Sequence, residues 1–85
     1  MTGQITVTTA GTAVQGPDKE GLSFALKAHP NNTDTVWFGN NASDIDSSTG
    51  FPLNKGEGVI LTISNLNRLW FDADVNGEKI CWCRM

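Results

Sequence analysis

Few side chains of this sequence could carry chemistry, and two of them lie close together near its C-terminal end. Cys81 and Cys83 flank Trp82, and a C-x-C pair on a β-strand places both thiols on one face, about 6.6 Å apart. This separation is near the upper limit for a disulfide, and parallel side chains do not suit one. A structural zinc site needs about four ligands, which two Cys and one His do not supply. We interpret the cysteines as small, reduced, core-facing residues.

The other catalytic and metal-binding candidates fit their chemistry less well. The single histidine, His29, precedes a proline in a polar turn, so a nucleophilic triad would have no other imidazole base. A loop containing Asp44 and Asp46 resembles the opening of a calcium loop. An EF-hand loop requires Gly at its sixth position and Glu at its twelfth, but Thr49 and Lys55 occupy these positions. We therefore predict that the protein is not an enzyme, with no catalytic residue, no metal and no cofactor.

The candidate binding residues are the three tryptophans, Trp37, Trp70 and Trp82, together with Arg84. All three tryptophans fall in predicted strands. Exposed indole rings on a β-sheet can stack on sugar rings, whereas buried rings fill a thin core or a subunit interface, where Trp is enriched. We favour core or interface. Exposure separates the alternatives, because coplanar exposed rings would favour sugar binding.

The elements that must position these residues are short strands separated by turns. Apolar and polar residues alternate with period two, which is typical of half-buried strands. The predicted strands are residues 4–9, 13–15, 22–28, 35–39, 59–63, 69–73 and 79–84. Asn76-Gly77 is the strongest hairpin signal, and residues 64–68 form a corner with a single helical turn. The sequence predicts an all-β fold of seven to eight short antiparallel strands, a sandwich or barrel, as one domain over residues 1–85.

The predicted core and the predicted subunit contact come from the same alternation. We expect the core between two sheets to contain the apolar residues Leu22, Phe24, Leu26, Val59, Leu61 and Ile63. The terminal strand, residues 79–84, is expected at a sheet edge, and unpaired edges recruit partners. If Cys81 and Cys83 point inward, Trp82 points outward and needs cover from another copy. If Trp82 points inward, the thiols line the outer face and react readily. We favour the first arrangement.

Length and charge exclude several classes of partner. The 85 residues suit one domain, and six Lys and Arg against nine Asp and Glu leave a net charge of −3. Nucleic-acid-binding proteins carry a basic surface, so we expect no nucleic-acid partner. No apolar run approaches the roughly 18 residues of a membrane span. Residues 1–4 lack the features of a secretion signal, and we expect folding in the cytoplasm.

The middle of the chain resembles small structural proteins of tailed bacteriophage virions. The resemblance spans about residues 22–73: an alternating strand, an Asn-rich turn, V-W-F-G, a Ser/Thr loop, G-F-P-L, a G-E turn, an apolar strand and N-L-N-R-L-W. Cys81-Trp82-Cys83 departs from the aliphatic ending of that pattern.

This resemblance implies a small jelly-roll-like β-sandwich located in the virion. It also implies a decoration or cement protein that binds the major capsid protein or other virion proteins, commonly as a homotrimer. A neck, tail or fibre-base component is the alternative within this class. A carbohydrate-binding module is the alternative from another class.

Overall fold

The computed structural model describes residues 2–45 and 50–85, which form eight strands and two short 3₁₀ turns. The strands are β1 (Thr2–Val7), β2 (Val14–Gln15), β3 (Ser23–Ala28), β4 (Val36–Gly39), β5 (Phe51–Leu53), β6 (Gly58–Thr62), β7 (Trp70–Ala73) and β8 (Glu78–Arg84). The 3₁₀ turns are Ala42–Asp44 and Leu66–Arg68, and the second is the helical turn expected at that corner. The predicted all-β class is confirmed. No described helix has the length and apolar character needed to cross a membrane.

The strands form two antiparallel four-stranded sheets. The first sheet has the order β1-β8-β3-β6 and the second has the order β2-β7-β4-β5. Strands β1 and β8, β2 and β7, β3 and β6, and β4 and β5 are paired, as if one long hairpin had been rolled into two layers. This is the strand order of a jelly roll. The molecule is an open sandwich and not a closed barrel.

The core lies between the two sheets and is built from the inward-facing residues of alternating strands. Phe24, Leu26 and Ile80 of the first sheet and Val36 and Phe71 of the second are fully buried. Each of these residues is followed or preceded by one on the outer face, as the two-residue period of a strand requires. The predicted positions of Phe24 and Leu26 in the core are confirmed.

The rest of the predicted core differs in the structure. Leu22 is 81% exposed, because it precedes β3 and lies outside the sheet. Val59, Leu61 and Ile63 do pack against the core but are only half-buried, since β6 is the edge strand of the first sheet. Their pattern correctly predicted which way they face, but burial also depends on what lies beside the strand.

The expected position of the last strand at a sheet edge is wrong. Strand β8 lies between β1 and β3 and pairs with both. The favoured side-chain arrangement is also wrong, because Trp82 points into the core and is 6% exposed, while Cys81 and Cys83 are half-buried on the outer face. Gly3 on β1 lies opposite Trp82. A Cβ there would lie 2.8 Å from the indole ring, so the glycine makes room for it.

The connection at Asn76-Gly77 is not the turn of a hairpin. Gly77 has the left-handed conformation expected, with a φ of 85°, but β7 and β8 belong to different sheets. The turn instead carries the chain from one layer to the other. The Gly77 N–H donates to the carbonyl oxygen of Val7 at 2.8 Å, which ties this crossing to the end of β1.

Candidate functional site

The structure separates the three tryptophans into two environments. Trp82 packs in the core with its ring edge-on to Phe24, with 6.3 Å between ring centroids. Trp37 and Trp70 are half-buried and belong neither to the core cluster nor to its half-buried neighbours. Because Phe38 and Phe71 point inward, the alternation of the strands places Trp37 and Trp70 on the outer face of the second sheet.

The two outward tryptophans are diagonal neighbours on adjacent strands. Trp37 of β4 lies opposite Asp72 of β7, and Trp70 lies opposite Gly39. On the other side of β4, Trp37 lies opposite Pro52. Trp37, Trp70 and Pro52 therefore share one surface, which we call the outer aromatic face. Such a surface presents flat apolar rings beside the buried Asp72.

The segment after β4 folds back against part of this face. Ile45 is 5% exposed although it lies outside the core cluster. A Cβ added to Gly39 would lie 3.2 Å from Cγ1 of Ile45, so Ile45 covers the side of Gly39 that faces outward beside Trp70. The indole N–H of Trp37 is buried and has no hydrogen-bond acceptor among the residues that the structure describes. Ile45 therefore covers part of the outer aromatic face.

Arg84 lies apart from the tryptophans on the outer aromatic face. It is exposed at the end of β8, and its Nη1 donates to the backbone oxygen of Glu20 at 3.1 Å. Together with Arg68 and Asn67 it lines a polar depression next to the exposed Leu22. The four binding residues predicted from the sequence thus lie in three different places: the core, the outer aromatic face and this depression.

The two thiols lie on the outer face of the first sheet. Cys81 lies between Gln4 and Lys27 on the neighbouring strands, and Gln4 Nε2 donates to its sulfur at 3.9 Å. Cys83 lies between Thr2 and Ala25 in the next row. Small side chains here leave a shallow, largely apolar depression of about 460 Å³. Both cysteines are free.

The catalytic and metal-binding candidates of the sequence do not come together in one site among the described residues. His29 Nδ1 accepts a hydrogen bond from the backbone N–H of Asn31 at 3.0 Å. Over residues 2–45 and 50–85, no three His, Cys, Asp or Glu residues form a group that could hold a metal ion. Asp46 and Thr49 of the calcium-loop interpretation lie outside the described residues.

Two buried carboxylates were not anticipated from the sequence. Glu78, which is 4% exposed, accepts hydrogen bonds from the backbone N–H groups of Thr33 and Asp34 at 2.9 and 2.8 Å. Asp72, 7% exposed, accepts bonds from the N–H groups of Gly11 and Ala73 at 3.0 and 2.7 Å. Both carboxylates fix a loop to a strand of the sandwich. Since acidic residues are almost never fully buried without such partners, their role is structural.

One lateral side of the sandwich carries exposed apolar surface that the sequence interpretation missed. Here the edge strands β5 and β6 face each other across the two layers. Ile60 is 64% exposed and Phe51 is 55% exposed. A groove of about 470 Å³ between the layers is lined partly by Phe51, Leu61 and Ile63. We call this region the open side; the signal for it was the uncharged stretch VILTI.

Fold and surfaces together define a small jelly-roll β-sandwich with an outer aromatic face and one open apolar side. No family model, curated protein or solved structure matches the chain.

Proposed function

We propose that this protein is a structural component of a tailed-phage virion, a capsid decoration or cement protein that docks on the major capsid lattice through its outer aromatic face. One observation carries the binding role: Trp37 and Trp70 lie together on the outer side of the second sheet. Phe38 and Phe71 already fill the inward positions of the same strands. The core therefore does not use the two indoles, which are half-buried on the outer face, and Trp is enriched at the centre of protein interfaces.

The assignment to a virion is supported by the fold and by the sequence pattern of residues 22–73. Jelly rolls recur in viral capsid proteins and in lectins, although a fold does not by itself determine a function. The described part of this range contains β3 to β7. For example, Gly56 adopts the left-handed conformation, with a φ of 81°. These residues specify the sandwich, so the proposal transfers no active site from the phage proteins that the sequence resembles.

The proposed mechanism is adhesion without a chemical step. A virion repeats each docking site many times, so contacts that are weak for one copy add through multivalency. Association of the protein with itself would increase this effect further. A neck, tail or fibre-base component would use the same face on a less repeated lattice, and the copy number per particle distinguishes the two roles.

The copy number in particles, together with substitution of the two tryptophans, tests the proposal. The full chain is expressed together with the structural genes that neighbour its own gene, and gradient-purified particles are quantified by mass spectrometry. We expect copy numbers comparable with that of the major capsid protein. The double variant Trp37→Ser, Trp70→Ser should be folded but lost from particles, while the matched control Gln15→Ser on the same face should be retained.

A few copies per particle would replace the decoration role with a neck or tail role. Absence of the wild-type chain from particles would refute the virion assignment, and retention of the double variant would refute docking through this face.

Carbohydrate binding is a second candidate, because two neighbouring indoles on one face are also a platform for sugar rings. The cover that Ile45 provides beside Trp70 reduces the flat area available. Titration of the wild-type protein with soluble oligosaccharides, followed by tryptophan fluorescence, should give no change. A saturable change that Trp37→Ser abolishes would make sugar binding the preferred function.

A further inference from the structure

The edge strand β6 presents unpaired backbone groups to solvent. The N–H of Ala28 donates to the carbonyl oxygen of Glu57 at 2.9 Å, so Glu57 faces β3. In an antiparallel pair the hydrogen-bonding direction alternates along the strand. With the unbroken register between β3 and β6, it follows that Gly58, Ile60 and Thr62 direct their N–H and C=O groups away from the sheet. Among the described residues, β6 pairs with β3 alone.

This edge lacks the features that normally prevent edge-to-edge association. Natural edge strands are blunted by charged residues, proline, bulges or very short length. The sequence of β6, GVILT, contains no charge and no proline. By contrast, the two edge strands of the second sheet are only two and three residues long, and the longer one contains Pro52. The free edge of β6 can therefore pair with another β-strand.

The other edge of the first sheet, β1, does not offer the same apolar surface. Its inward residues Ile5 and Val7 are buried, and its outward residues are Thr and Gln. On β6 the inward residues Val59 and Leu61 remain half-buried, and the outward Ile60 is 64% exposed. Only on β6 would pairing with another strand also remove apolar area from water.

We propose that β6 pairs with β6 of a second copy of this chain, antiparallel, about a two-fold axis at Ile60. In this register Ile60 lies opposite Ile60 of the second copy, and Gly58 lies opposite Thr62. Each outward N–H and C=O group of the strand then finds a partner. On the inner face Val59 lies opposite Leu61, so apolar side chains meet on both faces of the new pair.

The charge pattern suits association of identical copies. The chain has a net charge of −3, so two copies repel each other in general. In the proposed register, however, the nearest charged residue along the chain, Glu57, lies opposite Ile63 and not opposite a like charge. The uncharged strand lets the edges approach where the remaining surface would oppose contact.

The open side contributes the area that a stable dimer needs. A standard interface buries about 800 Å² on each partner, which is roughly one sixth of this molecule's 4725 Å² surface. A five-residue strand covers less than that. A two-fold axis perpendicular to the first sheet also brings the two grooves together, since both second sheets lie on the same side. Phe51 and Ile63 of each copy then cover the groove of the other.

The dimer leaves the outer aromatic face free, because that face belongs to the outer surface of the second sheet. The inference therefore goes beyond the proposed virion role and stands or falls separately from it. It also replaces the central strand β8 with β6 as the contact for self-association.

Sedimentation of the full chain over a dilution series tests the pairing. We expect twice the 9.2 kDa mass of one chain at high concentration. Ile60→Lys should weaken dimerisation at least 100-fold, because it places two like charges opposite each other. The matched control Gln4→Lys, on the exposed side of the other edge strand β1, should dimerise like the wild type. Circular dichroism establishes that each variant is folded.

Cross-linking tests the register independently of any loss of folding. Residues in a hydrogen-bonded antiparallel pair have Cα atoms about 5.5 Å apart, within the range of a disulfide. In a Cys81→Ser, Cys83→Ser background, Ile60→Cys should form a covalent dimer on mild oxidation, whereas Gln4→Cys should not. A monomeric wild type, a trimer, or equal cross-linking at both positions would overturn the proposal. If the wild type is monomeric and Ile60→Lys loses particle binding, β6 contacts a partner protein and not a second copy of this chain.

Discussion

The two lateral sides of the sandwich have the same kind of strand at their edges but are completed differently. On the side of β1 and β2, the turn after β1 is bonded to β7 and to the connection that follows it: the Gly11 N–H donates to Oδ1 of Asp72 at 3.0 Å, and the Ala10 N–H donates to Oδ1 of Asn76 at 2.7 Å. On the side of β5 and β6, the turn is bonded both to itself and to the end of β3: the Asn54 N–H donates to Oε1 of Glu57 at 2.8 Å, and the Gly56 N–H donates to the carbonyl oxygen of Ala28 at 3.0 Å. Phe51 and Ile60 beside this turn nevertheless remain exposed.

This difference shows that alternation determines direction, whereas neighbouring elements determine burial. Ile5 and Val7 on β1 and Val59 and Leu61 on β6 all face inward with period two. The first two are buried, and the second two are only half-buried. The side of β1 and β2, which we call the closed side, buries its apolar residues and so stabilises the monomer. The open side retains exposed apolar area that can stabilise an assembly. Substitutions on the two sides should therefore affect different measurements.

The largest effect should come from removing a buried ring. Phe24→Ala deletes a fully buried side chain and should lower the free energy of unfolding by about 3–5 kcal/mol. The matched change Phe51→Ala removes the same ring from the open side, where it is 55% exposed, and should cost under about 1 kcal/mol in the monomer. Urea unfolding at low protein concentration measures both. Equal costs would contradict the distinction between the two sides.

The next largest effect should come from the buried Asp72 carboxylate, which holds the turn after β1 on the side of β1 and β2. Asp72→Ala removes the acceptor of two backbone N–H groups and should cost about 2–3 kcal/mol, as expected for bonds to a charged acceptor. The exposed neighbour Asp74 provides the control, and Asp74→Ala should change stability by less than about 0.5 kcal/mol. Thermal melts of both variants measure the difference. A melting temperature unchanged by Asp72→Ala would show that the Asp72 hydrogen bonds do not stabilise the side of β1 and β2.

A smaller effect is expected where the core meets β1. Gly3→Ala places a methyl group 2.8 Å from the Trp82 ring, and overpacking of this kind typically costs about 1–3 kcal/mol. Gln4→Ala, on the exposed side of the same strand, should be nearly neutral. Near-ultraviolet circular dichroism should show a changed Trp82 environment in the first variant only. If Gly3→Ala keeps the wild-type spectrum and stability, Trp82 does not occupy the position described.

The smallest effect on stability is expected at the outer face of the first sheet. Cys81→Ser and Cys83→Ser remove half-buried, free thiols, and each should change stability by less than about 0.5 kcal/mol. In the native wild type both thiols should react with a colorimetric thiol reagent at rates close to those in the unfolded chain. Reaction only after addition of denaturant would mean that the thiols face the core.

The sequence was sufficient for the class of fold and for most strands, because alternation is a local property. It missed β5 as a strand, since three residues containing Pro52 do not form a period-two pattern. It did not predict that β8 is central, because pairing with β1 joins residues at opposite ends of the chain. The orientation of Trp82 depended on Gly3 across the strand pair, and no pattern within residues 79–84 contains that information.

The candidate surfaces were predictable to a smaller extent. The sequence singled out Trp37 and Trp70, but their common face depends on the register between β4 and β7. The open side was missed because its defining property is the lack of a neighbour. Val59 and Leu61 have the same sequence pattern whether another strand covers them or not.

The central position of β8 has a consequence for how the chain folds. Strands β1 and β3 are both neighbours of β8 and not of each other, so the first sheet has no continuous hydrogen-bond ladder until the eighth strand in chain order is available. During synthesis, the strands made before β8 have unpaired edges. Partly folded chains with unpaired strand edges are prone to aggregate. Contacts between such distant segments also slow folding, typically to milliseconds or seconds. Deletion of residues 78–84 should therefore abolish folding and not merely shorten one strand.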